Sequence, residues 1–346
     1  MSSPVHQNAH ALMKRRWMLL CALVVLLLVS LVLDLWAGPA DIGLLELING
    51  LFNPERLEPR HQIILFDVRL PDALIALAVG AALGLSGIET QTILNNPLAS
   101  PFTLGVSSFA AFGASISIVF APSLPFLGTE FLQPFFALLF ALLSGFLVMS
   151  FSRMMSGLKE SVILFGMALF FLGDAMTAAL QYVASAEAVQ EIVFWTIGNL
   201  TKAGWREVAI VGAVFFLILP FSMRHVWVMT LLRAGEAQAS SLGLNINRIR
   251  LWVLLRVSVL CAFAVCFVGA IGFVGLVGPH IARLLLGEDH RFLVPGSALC
   301  GALLLSLSSF LSKALLSGVV IPVGIVTAIV GVPVFLFLIV RHGRRI

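Results

Sequence analysis

Long apolar stretches alternate with short polar breaks along the whole chain, and within each stretch the apolar residues run on without a two-residue alternation. A bilayer crossing takes about 20 mainly apolar residues, and in lipid only helices or closed barrels satisfy every backbone N–H and C=O. Continuous runs of that length predict helices, at residues 17–36, 69–90, 105–121, 133–151, 160–183, 206–222, 249–268, 270–286, 293–313 and 322–340. The run at 270–286, "AIGFVGLVGPHIARLLL", is short and rich in glycine. Gly269, Gly272, Gly275 and Gly278 recur every three residues, predicting a small-residue face for close helix crossing, with Pro279 breaking the run.

Composition turns this pattern into a class. With 60% hydrophobic and 11% charged residues among 346, and a mean hydropathy of +1.06, too few charges remain to clothe a water-soluble globule. The prediction is an all-α integral membrane protein, one membrane domain over 1–346. The run at 17–36 follows Lys14, Arg15 and Arg16 but is too long for a signal peptide and is read as a retained span. Cys21, Cys261, Cys266 and Cys300 lie inside apolar runs without metal-type spacing, which argues against a disulfide framework or zinc site.

Cytoplasmic loops carry an excess of Lys and Arg. With the N-terminus inside, fourteen of the 21 basic residues fall on the inner side and six on the outer, with Arg256 within a span. Both termini are therefore predicted cytoplasmic, with 1–16 as an inner tail, and ten spans meet the even number this requires. The positive balance suits inner loops facing anionic membrane lipid and needs no nucleic acid.

Three polar stretches carry candidate function. "SGIETQTILNNPLASPFTLGVSS", residues 86–108, lies on the inner side between two spans. It is read either as a re-entry into the membrane or as a cytoplasmic turn. "LLRAGEAQASSLGLNINRIR", residues 231–250, is helix-capable from Leu231 to Leu242, punctuated by Gly235 and Gly243, and suits either a solvated loop or a docking surface for a soluble partner. Beyond Pro279, His280 reads as a structural hydrogen-bonding residue, and the turn Glu288, Asp289, His290, Arg291 as local ion pairs. Charges inside spans are functional candidates because burying one in a bilayer costs at least about 2.5–3.5 kcal/mol. Asp174 is the deepest, read as a pathway-lining carboxylate or as a helix-packing contact. Glu89 and Arg256 lie nearer the inner ends of their spans.

The segments "VRLPDALIALAVGAALGLSGIETQTILNNPLASPFTLGVSS", "LRAGEAQASSLGL", "GAIGFVGLVGPHIARLLLGEDHRFLVPGSALCGA" and "PVGIVTAIVGVPVFLFLIV" resemble, in order over residues 66 to 340, the transmembrane permease subunits of bacterial ABC importers for ferric siderophores, haem and cobalamin. The resemblance implies a ten-helix type II importer fold in the inner membrane and a second permease subunit, identical or a close paralogue. It also implies two cytoplasmic ATPase subunits and a periplasmic or lipid-anchored substrate-binding protein. Carried over by position, Arg233, Gly235, Glu236 and Gly243 belong to the ATPase-coupling region, and Arg69 and Lys313 to the docking surface for the binding protein. Asn96, Pro97, Gly105, Gly278, Pro279, His280 and Arg283 stand in the family's motifs. The chain departs from the family pattern at Asp72, Asn95, Ser309, Lys313 and Val320, which bears on docking.

No G-x-x-x-x-G-K-[ST] phosphate loop occurs, so ATP and magnesium would belong to the partner ATPase, with no cofactor bound by this chain. The sequence also supports a proton-coupled secondary transporter using Asp174, Glu89 and Arg256, and, ranked last, a membrane enzyme built on His280, Glu288 and Asp289.

Overall fold

A computed structural model describes residues 4–40, 42–120, 129–155, 158–316 and 318–343. Its described residues are helical throughout, without strands. Helix α1 (Pro4–Trp36) crosses first, and α2 (Leu44–Phe52) and α3 (Pro59–Ile63) follow on the outer side. A π-helical turn, Ile64–Arg69, leads without a break into α4 (Leu70–Ile93). Then come α5 (Val106–Phe120), α6 (Thr129–Met154), α7 (Lys159–Val183), the short outer α8 (Ala186–Ile197) and α9 (Trp205–Arg224). Two short helices, α10 (Val226–Ala234) and α11 (Glu236–Ser241), precede α12 (Ile246–Val268), α13 (Val274–Leu286), α14 (His290–Ala314) and α15 (Val323–Gly343).

Six of these helices, α1, α6, α7, α9, α12 and α14, are long and apolar enough to cross a membrane. With α4 and the shorter apolar α5, α13 and α15 they make the ten crossings that the hydrophobic runs predict. Burial sorts them into layers. In their most apolar stretches, 72% of α14 and 67% of α12 are buried, against 22% of α9 and 28% of α1 and α7. The core is therefore α4, α12 and α14, and the other helices present wide apolar faces outward, as a lipid-solvated chain requires.

Lipid tails are as apolar as leucine, so helices in a bilayer associate through close packing rather than exclusion from water. The contact of α4 with α13 shows how close. A Cβ built on Gly87 would lie 1.8 Å from the Gly275 carbonyl oxygen. That carbonyl is the one whose intrahelical donor Pro279 removes. Pro279 thus stands inside a continuous α13 and does not break it, a correction to the sequence expectation. Gly87→Val is expected to force α4 and α13 apart and to lower the thermal midpoint of the purified subunit more than Gly212→Val, since a Cβ on Gly212 meets nothing within 4 Å.

Three further expectations change. The glycine stripe shrinks to Gly275 and Gly278, because Gly269 caps α12 with φ +79° and Gly272 lies before α13 begins. The expected N-terminal tail is helical from Pro4, continuous with the first span. The 86–108 stretch forms the inner end of α4 and a turn, with Asn95, Pro97 and Leu98 exposed and Ala99, Ser100 and Leu104 buried, rather than a deep re-entry. Basic Arg344 and Arg345 of the orientation argument lie outside the described residues.

Candidate functional site

The inner side of the molecule is where the sequence places its coupling residues, and the structure ties them to the core through side chains. Gly235 adopts φ +140°, a conformation that L side chains rarely take, and lets α10 turn into α11 at that residue. Immediately after it, Glu236 Oε1 accepts a hydrogen bond from Arg250 Nη2 at 2.7 Å and pairs with Lys159 Nζ at 3.1 Å. One carboxylate therefore fastens α11 to the inner ends of both α7 and α12. Gly243, at φ +82°, closes the segment before Asn245, whose Oδ1 caps α12 by accepting from the Arg248 N–H.

On the other side of Gly235, Arg233 of α10 donates to Asn95 Oδ1 at 3.2 Å and pairs with Glu288 Oε1 at 3.3 Å. Arg283 of α13 reaches the same Glu288 oxygen at 3.3 Å and donates to Gln91 Oε1 at 3.2 Å. A second link runs through His290, only 1% exposed, whose Nε2 lies 2.9 Å from Thr92 Oγ1 and whose Nδ1 lies 3.3 Å from Thr230 Oγ1. Thus α10 is joined to α4, α13 and α14 by a chain of Arg, Asn, Glu, Gln, His and Thr groups. The His290 contact with Thr92 is buried, whereas the pairs of Arg233 with Asn95 and Glu288 are solvent-exposed.

The network joins Arg233 and Arg283 of the sequence reading through Glu288 and leaves Glu236 with its own partners Arg250 and Lys159. It adds Gln91, Thr92 and Thr230, to which that reading gave no role, while His290 makes hydrogen bonds where local ion pairs were expected. His290 sits in the charged turn it had noticed, but nothing along the chain signals a bridge to Thr92, 198 residues away. Glu288 and Asp289 form separate ion pairs, with Arg233 and Arg283 in one case and with Arg16 and Arg291 in the other. His280 instead meets the Phe335 ring edge-on, at 6.2 Å between centroids. Asn96 Oδ1 accepts from the Leu98 N–H, holding the turn that Pro97 exposes, and Gly105 (φ +78°) starts α5 hard against Leu169 of α7. Gly278 of α13 packs on Gly301 of α14.

On the outer side, Arg69 and Lys313 are largely buried within the single subunit. Arg69 is 4% exposed, and its guanidinium donates to the carbonyls of Leu35 and Trp36, which the end of α1 leaves without helical donors, and to that of Ala40 in the following turn. Lys313 is turned inward onto Asp34 at 2.9 Å, where Ser309 also donates to Asp34 at 2.9 Å. Asp72 is buried within the field of both charges. Two departures from the family pattern, Ser309 and Lys313, thus form one internal polar cluster with Asp34.

Within the membrane, Glu89 of α4 and Arg256 of α12 form a buried two-pronged pair, with Arg256 Nη2 and Nε donating to Glu89 Oε1 at 2.8 and 3.2 Å. Asp174 is different. It is exposed on a single subunit, makes no hydrogen bond or ion pair among the described residues, and lies nine residues, about 14 Å of helix, from the outer end of α7. Phe171 and Leu172 beside it are 67% and 50% exposed, and Ile329 and Leu336 of α15 are 67% and 56% exposed. The outer helix α8 contacts both α7 and α15.

The sequence profile of the FecCD transport family matches residues 26–341. The chain belongs to the FecCD transport family. Its relatives include the hemin transport system permease protein of Yersinia pestis, 34% identical over 94% of this chain and 97% of that protein. An Fe(3+)-citrate import system permease protein of Bacillus subtilis is 32% identical over 96% and 97%. The molybdate import system permease protein of Haemophilus influenzae is 34% identical over 94% and 96%. A solved structure described as a metal-chelate type ABC transporter in an inward-facing conformation superposes with a TM-score of 0.82 at 33% identity, covering 94% of this chain and 99% of that one. The fold is that of a type II ABC importer permease, as the resemblance in the sequence implies.

Proposed function

We propose that the chain is the permease subunit of an ATP-driven importer that carries an iron chelate, a ferric siderophore above all, across the inner membrane by alternating access. The observation that carries this reading is the network that ties α10 and α11 to α4, α7, α12, α13 and α14. A surface helix pair wired to five helices of the bundle is what a chain without its own phosphate loop needs if hydrolysis in a partner is to move it. Two relatives named for hemin and ferric citrate support an iron-bearing cargo.

The exposed Asp174 supports a second subunit. A carboxylate facing lipid at that depth would cost at least about 2.5–3.5 kcal/mol, so the α7–α8–α15 side is better covered by a copy or close paralogue of the chain, with a wet pathway between them. On this reading the carboxylate lines the pathway. Asp174→Leu is expected to cut uptake by about tenfold or more, the equivalent of about 1.4 kcal/mol in the barrier, and Asp174→Asn by less, with binding of the ATPase unchanged in both. The test is uptake of ferric siderophore, haem and cobalamin by the importer reconstituted with its ATPase and binding protein. Wild-type uptake in the Asp174→Leu variant would remove Asp174 from the pathway.

A further inference from the structure

Between α1 and α9 lies a groove of about 510 Å³, floored by α4 and α14 and lined by apolar residues alone. Small residues carve it. Ala78 of α4 and Ala298 and Pro295 of α14 form the floor, between walls that include Leu27 of α1 and Gly212 and Phe216 of α9. Phe216 is 70% exposed, so the groove opens toward the bilayer. At its inner end the chemistry changes abruptly. Pro295 stands four residues, about 6 Å of helix, from Arg291, and Leu27 stands ten residues, about 15 Å, from Trp17.

There, Arg16 Nη1 meets Asp289 Oδ2 at 3.1 Å, and Arg291 grips the same carboxylate through Nε and Nη2, at 3.0 and 2.7 Å. Two guanidiniums thus share one carboxylate, leaving a net positive charge, and Arg291 Nη1 makes no hydrogen bond among the described residues. Arg291 lies over the Trp227 ring at 4.8 Å and Arg16 over Phe292 at 5.5 Å, while Trp17 meets Phe292 edge-on. Trp17 and Trp227 are 60% and 61% exposed, and Lys14 and Arg15 beside Trp17 on α1 and Arg224 at the end of α9 are exposed too. Exposed indoles beside arginines at the foot of an apolar groove match the two halves of a phospholipid. Indoles favour the headgroup level, and basic side chains on the inner side attract anionic headgroups.

We propose that the groove and this cluster are one site, for an anionic phospholipid of the inner leaflet, with its phosphate on Arg291 and Arg16 and an acyl chain in the groove. The site rests on the membrane orientation that places Arg16 inside, and it is independent of the cargo and of ATP coupling. The groove begins one helical turn from the cations, and its lining along α9 runs from Leu219 to Val208, about 17 Å of helix, close to the about 15 Å of a single leaflet's hydrocarbon. Neither apolar lining nor surface arginines alone would select an occupant; their continuity does.

The test uses the full chain, purified in mild detergent, stripped of lipid and offered equimolar phosphatidylglycerol and phosphatidylcholine of identical acyl chains, with retained lipid counted by native mass spectrometry. One phosphatidylglycerol per chain is expected, preferred about fivefold, the ratio that one uncompensated basic side chain near an anionic surface supports. Arg16→Gln with Arg291→Gln should erase the preference. Gly212→Phe, whose Cβ enters open space, should lose the retained lipid whichever headgroup is offered. Equal retention of the two lipids overturns the proposal, as does a preference that survives the double substitution or a single-span protein found in the groove instead. Because lipid is counted without uptake, a failure here leaves the transport reading standing.

Discussion

Glu236→Arg is expected to reduce uptake by about tenfold or more while ATP hydrolysis by the assembled complex continues, so that far more ATP is consumed per chelate imported. The reason is local. Glu236 Oε1 is the common acceptor for Arg250 and Lys159, and the Arg250 side chain is only 2% exposed. Reversing the charge sets three cations at one point, and α11 then separates from the ends of α7 and α12. Glu236 itself is a third exposed, so the local cost is discounted from the about 3–5 kcal/mol of a fully buried broken pair to about 1–3 kcal/mol. That is enough to release a six-residue helix and too little to unfold the bundle. Glu236→Gln keeps an acceptor oxygen and should fall between. The measurement is the ratio of ATP hydrolysed to substrate accumulated in vesicles; a wild-type ratio in Glu236→Arg would mean that α11 does not transmit the motion.

The second large effect is on stability. Arg256→Met is expected to destabilise the subunit by about 3–5 kcal/mol, because Glu89, 2% exposed, keeps its carboxylate in the core of α4 without the guanidinium that binds it through two nitrogens. Removing both charges, as Glu89→Gln with Arg256→Met, should recover most of the loss, since replacing a whole buried pair by neutral groups is often close to neutral. Thermal unfolding of the three proteins in one detergent decides it. If the single and double variants unfold together, the pair is not what joins α4 to α12.

The sequence reading and the structure agree where physics is local and repetitive. A run of about 20 apolar residues can be satisfied in lipid only by a helix, so all ten crossings were legible, several ends within two or three residues. Gly235 and Glu236 were singled out by the family resemblance, whereas the residues alone left 231–250 as either a solvated loop or a docking surface. Depth of a charge was not legible. Arg69 and Lys313 fall at the outer ends of their spans in sequence, but nothing there shows that the end of α1 curls carbonyl oxygens over Arg69 or sets Asp34 opposite Lys313. Pro279 misled for a related reason. A proline ends a helix unless the carbonyl it orphans is accommodated, and here that carbonyl sits against Gly87 of another helix. His290 was hidden because its two partners come from α4 and α10, and only the packed bundle brings them to one imidazole.

On the proposed function, this subunit moves cargo only when a partner hydrolyses ATP against α10 and α11. The most direct test is to purify the chain from its own membrane in mild detergent, identify by mass spectrometry what accompanies it, and return the assembly to vesicles. The account predicts a stoichiometric partner bearing a phosphate loop and iron-chelate uptake that stops without ATP. A chain that arrives alone and still drives uptake in ATP-free, proton-loaded vesicles would contradict it.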